Sequence, residues 1–475
     1  MIYYIDSQMG SDLHPGTSQD RPWATLSRAS SHMYGPGDAI LLKKGSVFKG
    51  QLALKGSGAE GKPCIISSYG NGERPAIEAN GAFEAALLLE NNEYWEVTGL
   101  EISNTGSAPA AKRTGILCRL STDGIRRHIA IRDNYIHDVN GSNVKKDGDR
   151  ANGIAVRAGD EGSTSRYDDV LIEGNRLKRC DRVGISVKGM YARDRWNPLR
   201  RVTISRNVLE DIGGDGIVNI GTIHCLVSRN VIRGGRMRDD MYCAGIWPWS
   251  SDFTRIEYNE VSGFKGTRDG QGFDCDYNCI GTIHYGNYSH DNEGGYMLVC
   301  TADQKVRLPK ELGCVSSRID RNLSVNDLCR TFHLAGPIIG TSISDNCIYV
   351  GKGIDIPCIL ATGEAEPMGG PLDTMIYNNV FAARGILRYA RSVLRKEDGT
   401  FDFVEDPNIA NLVFAGNAHL GNNVGHPKES TPPVHAKARL EEIEEILLDK
   451  FGKARSGIET LFDIWKYLGY EPDAL

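Results

Sequence analysis

Nine times between residues 134 and 379 the chain repeats one phrase: an apolar residue, two variable positions, Asn, one further residue and a second apolar one. Ile131-Arg132-Asp133-Asn134-Tyr135-Ile136 is the first copy. Others follow around Asn175, Asn207, Asn230, Asn259, Asn287, Asn322, Asn346 and Asn379, the one at Asn287 being a residue longer. The intervals are 41, 32, 23, 29, 28, 35, 24 and 33 residues. A period of roughly 20–50 residues made of short strands marks a solenoid, whose repeats bury their apolar faces by stacking on neighbours. Asn recurring at a turn suits left-handed backbone there and a side-chain ladder between coils.

A second phrase, Gly followed by a short apolar strand, runs in step with the first. It reads Gly153-Ile154-Ala155-Val156, Gly184-Ile185-Ser186-Val187, Gly216-Ile217-Val218-Asn219, Gly245-Ile246-Trp247-Pro248, Gly272-Phe273-Asp274-Cys275 and Gly295-Tyr296-Met297-Leu298. Each coil therefore carries at least two strands. A β-propeller needs four strands in about 40–45 residues, more than most of these intervals hold. The spacing predicts an all-β chain folded as a right-handed parallel β-helix.

The ends fit this plan. Gly37-Asp38-Ala39-Ile40-Leu41-Leu42 and Cys64-Ile65-Ile66-Ser67-Ser68-Tyr69-Gly70 read as early strands, and Trp23 to Ala29 as a short helix capping the first coil. Beyond about residue 430, Leu440, Ile443, Ile446, Leu447 and Phe451, then Ile458, Leu461, Phe462 and Trp465, follow helical spacing. The expected organisation is a β-helix with its N-terminal cap over 1–430 and a helical appendage over 431–475, packed on the coil or its end.

Composition narrows the function. Gly supplies 55 of 475 residues against 18 Pro, which points to many tight turns and not to a linker. Net charge is −6, with Lys and Arg scattered, so a nucleic-acid partner is not expected. The 12 Cys show no CxxC pair and no metal-ligand grouping. Cys243, Cys275, Cys300, Cys329 and Cys347 fall in strand-like runs and read as core thiols of a reducing compartment. Neither metal nor cofactor is expected. No run approaches the roughly 18 apolar residues of a membrane span, and the first residues show no signal peptide, so the expectation is a cytoplasmic protein. A secreted chain already trimmed of its leader would read the same.

Strand side chains alternate between faces. If the first and third residues after each Gly point inward, the second and fourth point to solvent. Stacked coils then give one outward column of Ser186, Val218, Trp247, Asp274 and Met297, and beside it Lys188, Ile220, Trp249, Asp276 and Val299. Asp is disfavoured inside strands, so two in one short strand need a reason. Exposed indoles beside carboxylates suit a sugar, whose apolar faces stack on aromatic rings. Glycoside hydrolysis needs one acid to protonate the leaving oxygen and a second carboxylate as nucleophile or base. Asp274 and Asp276 at i and i+2 have Cα atoms roughly 6.6 Å apart, with Asp269 in the turn before them. Lys188, Asp240, Tyr242, Asp291, Glu293 and Tyr296 are candidate substrate contacts around the acids and indoles. Turn Asp and Glu can equally cap backbone N–H groups, and the two tyrosines can simply fill turns. His284 and His290 read as surface or coil-packing residues.

Two groups of residues resemble known carbohydrate-active proteins. Tyr3-Tyr4-Ile5-Asp6, Gly10-Ser11-Asp12, Pro15-Gly16-Thr17, Pro22-Trp23-Ala24-Thr25-Leu26 and Gly61-Lys62-Pro63-Cys64-Ile65-Ile66 resemble the opening of bacterial right-handed β-helix enzymes of pectin-lyase-like fold. Asp269-Gly270-Gln271-Gly272-Phe273-Asp274-Cys275-Asp276 and Tyr288-Ser289-His290-Asp291-Asn292-Glu293-Gly294-Gly295 are similar to glycoside hydrolase family 136, the lacto-N-biosidase type. That resemblance implies a pair of catalytic aspartates, Asp276 with either Asp269 or Asp274, and an oligosaccharide or polysaccharide substrate. Two other functions use the same fold. A polysaccharide lyase would need a base and a cation near the uronate, for which Lys188 and Arg193 are the nearest candidates. A non-catalytic sugar-binding β-helix would keep the indoles and dispense with the acids.

Overall fold

The computed structural model describes all residues except 146–150, 160–163, 240, 302–313, 364–369, 390, 396–400, 405–411 and 472–475. The chain forms two compact units. The first comprises Met1–Tyr191, Arg195–Leu226 and Met237–Met241; the second comprises Ala192–Asp194, Val227–Arg236 and Tyr242–Leu475. Each unit is a stack of coils with three strands per coil, one strand for each of three sheets. The short Gly-headed and Asn-headed phrases account for two of the three. All strand pairs are parallel among the described residues, except Arg391–Arg395 with Phe401–Val404. This is the parallel β-helix the repeat implies.

The register shows how the repeat works. In the first unit Ile116, Ile154 and Ile185 pair in sequence, as do Cys118, Val156 and Val187, so apolar residues stack over apolar ones. Inward Ile and Val side chains fill each coil and are excluded from water. Stacking of this kind gives parallel sheets their continuous apolar interior.

The Asn residues form the expected ladder. In the second unit Asn230, Asn259, Asn287, Asn322, Asn346, Asn379 and Asn417 are linked, each Nδ2 donating to the next Oδ1 at 2.8–3.0 Å. Asn134, Asn175 and Asn207 do the same in the first unit. The carboxylate of Glu429 continues the ladder past Asn417, accepting from its N and Nδ2 at 3.1–3.2 Å. Left-handed backbone belongs to the residue before each Asn, such as Arg206, Tyr258, Arg321 and Asp345, and not to the Asn itself. The Asn therefore enters the strand conformation with its amide turned inward, where the neighbouring coils and the carbonyl two residues back satisfy it.

At the N-terminus the helix is Leu26–Ser31. Thr25 is its cap, accepting from Arg28 N at 3.1 Å, and Trp23 precedes it as a fully buried residue bridged to Ile5. At the other end the helices are Leu440–Leu447 and Glu459–Leu468. Phe451, read as part of the first, lies in an exposed turn. Leu440, Ile443, Leu447, Leu461, Ile464 and Trp465 pack on Tyr258, Tyr288, Leu323, Tyr349 and Val380, so the appendage is part of the second unit. Trp465 Nε1 donates to Arg321 O at 2.9 Å, and Tyr288 OH to Arg455 O at 2.6 Å. No helix among the described residues is long and apolar enough to cross a membrane.

Candidate active site

The strand Gln271–Cys275 carries the acids. Phe273 and Cys275 face the interior, where Cys275 Sγ lies 3.5 Å from Cys314 Sγ and 3.3 Å from Ser317 Oγ. Alternation then turns Asp274 to the outer side, and Asp276, one residue beyond the strand, follows. Ile246 pairs with Phe273, which sets Trp247 beside Asp274, and Asp276 N donates to Pro248 O at 3.2 Å, next to Trp249. The indoles and acids thus occupy adjacent coils on one face, as the alternation predicts. Trp247 is 6% exposed and Trp249 half-buried, so Trp249 is the more open ring.

The next coil corrects the predicted column. Phe273 pairs with Met297, Asp274 with Leu298 and Cys275 with Val299. Met297 and Val299 therefore point inward, while Leu298 and Cys300 lie beside Asp274 and Asp276. The slip arises at the Gly294-Gly295 doublet. Gly295 stacks on Gln271 and so sits one position earlier than Gly272 does in its own coil. Tyr296 does not line the site either, although by alternation it goes with Leu298 and Cys300. It is fully buried, with its ring edge-on to Phe273 at 6.3 Å and to Phe332 at 5.4 Å.

Cys300 lies against Asp276. Its Sγ donates to Asp276 Oδ1 at 3.1 Å. Burial, then Asp276, Asp274 and Asp269, push this thiol well above its ordinary range. Cys300 is buried, as the sequence reading has it, but on the acid-bearing side of its strand, and Cys329 is only half-buried. Asp276 Oδ1 also accepts from Tyr277 N at 2.8 Å. Asp274 is 4% exposed, and Gln271 Nε2 reaches its Oδ2 at 3.4 Å while Arg330 Nη2 reaches Gln271 Oε1 at 3.4 Å. Asp269 is half-buried with φ of 121°, a conformation that L-residues rarely adopt.

The remaining candidates divide. Tyr242 is exposed and tied to the Asp269 turn, with the Arg268 guanidinium 4.7 Å over its ring. Glu293 braces the same turn from below, accepting from Gly266 N at 2.6 Å and Lys265 Nζ at 3.1 Å. The Gly266 N–H and then Lys265 hold its carboxyl below the usual range, which is the capping role and not a sugar contact. Asp291 belongs to another sheet. Its Oδ2 lies 2.8 Å from His290 Nδ1, beside Glu260. Burial lowers His290, but its bonds to Asp291 and Glu260 prevail and raise it to about 9. Lys188 closes the strand Val183–Lys188 of the first unit, its ammonium 5.1 Å from the Tyr191 ring, and so belongs to a different unit from the acids. Arg193 pairs with Asp252 at 2.6 Å. Asp240 lies outside the described residues. No group of three or more His, Cys, Asp or Glu among the described residues is arranged to hold a metal ion.

Fold and site together define a β-helix with a cluster of carboxylates on its outer face. The chain is similar to a lacto-N-biosidase of Bifidobacterium longum subsp. longum, at 26% identity over 73% of this chain and 27% of that protein. Among solved structures it is similar to the family 136 lacto-N-biosidase of Eubacterium ramulus, with a TM-score of 0.63 and 27% identity over 74% of this chain and 64% of that one. A mannuronic acid specific family 6 polysaccharide lyase from human gut microbiota shares the fold, with a TM-score of 0.51 at 14% identity over 98% of this chain and 99% of that one. The chain spans about a quarter of the curated relative and under two thirds of the first of these structures. No family model matches it.

Proposed function

We propose that this chain is the catalytic β-helix of a glycoside hydrolase, or of a transglycosylase using the same carboxylates, acting on an oligosaccharide. The observation that carries the reading is the placement of Asp274 and Asp276 on one face beside Trp247 and Trp249, with Asp276 bonded to Cys300. Asp276 is the member held ready as a carboxylate, because backbone and side-chain donors at one oxygen favour the ionised form. Asp269 is the partner we assign to it. It is less buried than Asp274 and sits in strained backbone, and such strain collects at functional sites. The protonated partner delivers its proton to the glycosidic oxygen while the ionised one attacks the anomeric carbon or activates a water. Trp249 supplies an aromatic face and Tyr242 a further ring near the Asp269 turn.

The test is turnover of a panel of aryl glycosides and oligosaccharides read by mass spectrometry, beginning with a lacto-N-biosidase substrate. Asp276→Asn should abolish turnover, by at least about 10³-fold on the usual scale of an essential group, while the melting transition persists. Full activity in that variant eliminates the assignment. An unsaturated, ultraviolet-absorbing product would identify a lyase instead.

A further inference from the structure

We infer that Cys300 is a positioning residue whose thiol proton holds the Asp276 carboxylate in its reactive orientation and ionisation state. The inference rests on the reading of Asp276 as a catalytic group. Cys300 ends the strand Gly295–Cys300, one coil on from Asp276, and the register places its side chain on the outer face beside it. The Sγ to Oδ1 distance is 3.1 Å, short for a sulfur donor. Main-chain contacts fix the other side of Asp276. Tyr277 N donates to the same Oδ1 at 2.8 Å, and Cys314 Sγ to the Asp276 carbonyl at 3.0 Å. Two donors therefore meet at Oδ1.

The charges around Cys300 keep it a donor. A thiolate could accept but not donate, and it would repel the carboxylate. Asp269 and Asp274 from the preceding turn and strand act with Asp276 and with burial to hold the proton on sulfur. Cys314, whose thiol donates to the Asp276 carbonyl, is likewise kept protonated by burial. A hydroxyl in this place would be a stronger donor, and a methyl group would be none. An S–H donor is weak, so it stabilises the anion without quenching its nucleophilicity. A hydrogen bond to a charged group favours its ionised form and a thiol is a weak donor, so losing it moves the ionisation by roughly half to one pH unit.

The experiment uses the full chain in four forms: unsubstituted, Cys300→Ala, Cys300→Ser and Asp276→Asn. With a glycoside that the unsubstituted protein turns over, the acid limb of the kcat/KM profile should rise by roughly half to one pH unit in Cys300→Ala. It should return to the original position or below in Cys300→Ser. A second arm needs no substrate. The S–H stretching band of Cys300, identified by its loss in Cys300→Ser, should shift to higher frequency in Asp276→Asn, where a neutral amide replaces the charged acceptor. An unmoved acid limb in Cys300→Ala, or an unmoved S–H band in Asp276→Asn, overturns the inference even if Asp276→Asn is inactive. Turnover persisting in Asp276→Asn signals the separate failure of the glycosidase reading.

Discussion

Asp269 pits stability against function at a single residue. A φ of 121° is natural for Gly and costs other residues about 1–3 kcal/mol. If the side chain were only a turn residue, Gly would serve better. Asp269→Gly should therefore leave the thermal midpoint unchanged or higher while glycoside turnover falls at least about 10²-fold. A variant that melts markedly earlier, or keeps its rate, contradicts the role assigned to this carboxylate. His284 offers a second test at the same scale. It is fully buried against Phe273, and burial depresses it to about 4. The folded chain thus holds it neutral, while the unfolded chain protonates it below about 6.5. Stability from this residue is complete above pH 6.5 and is lost as pH falls towards 4, by about 3 kcal/mol in all. His333 is lowered by burial too, so acid sensitivity is shared. The difference between the unsubstituted chain and His284→Leu isolates the His284 part: its midpoint should fall less steeply between pH 6.5 and 4. The acids were conspicuous in the sequence because Asp is unusual inside strands, and the indoles because strand alternation sets them beside the acids. Cys300 was not, because an apolar run disguises which of its residues face out, and neither were Gln271 and Arg330, which no spacing rule links to the acids.

At the scale of the element, the Asn ladder stands where a turn would otherwise bury unpaired backbone. Asn322 donates through Nδ2 to His284 O, Asp320 O and Asn346 Oδ1, and accepts from both nitrogens of Asn287. Asn322→Ala removes all of these and leaves donors on the neighbouring coil without partners in a site closed to water. The expected loss is about 2–4 kcal/mol, well above that of an exposed Asn, and a denaturant midpoint measures it. The period of this ladder made the solenoid legible, since buried Asn at such intervals is satisfied by coils stacked on one another. Its conformation was read one residue out of place, because turns place left-handed backbone by shape, and Arg206, Tyr258 and Arg321 carry no signature of it. The Gly294-Gly295 doublet caused the other error. Either glycine could head the strand, and a shift of one residue exchanges the two faces.

At the scale of the whole molecule, the same sheet position is polar in one unit and apolar in the other. In the first unit the third sheet stacks Glu101, Tyr135, Arg176 and Val208, and two residues on Ser103, His137, Lys178 and Glu210, none of them buried. In the second unit the equivalent columns run through Tyr288, Leu323, Cys347, Val380 and Ala418, and through His290, Val325, Tyr349 and Ala382, all of them buried. An outer face so apolar requires a cover, and the helices Leu440–Leu447 and Glu459–Leu468 supply it through Leu440, Ile443, Leu461, Ile464 and Trp465. Arg384 pairs with Glu441 and Glu444 and fixes the first helix at its rim. The appendage is therefore a structural requirement of these coils and not a separable tail. Trp465→Ala, which also forfeits the bond to Arg321 O, should cost about 3–5 kcal/mol. Ending the chain at residue 430 should uncover the whole face, giving binding of a hydrophobic dye and aggregation in place of a soluble protein. A soluble, dye-silent chain of residues 1–430 would mean that these coils bury their outer columns by some other route.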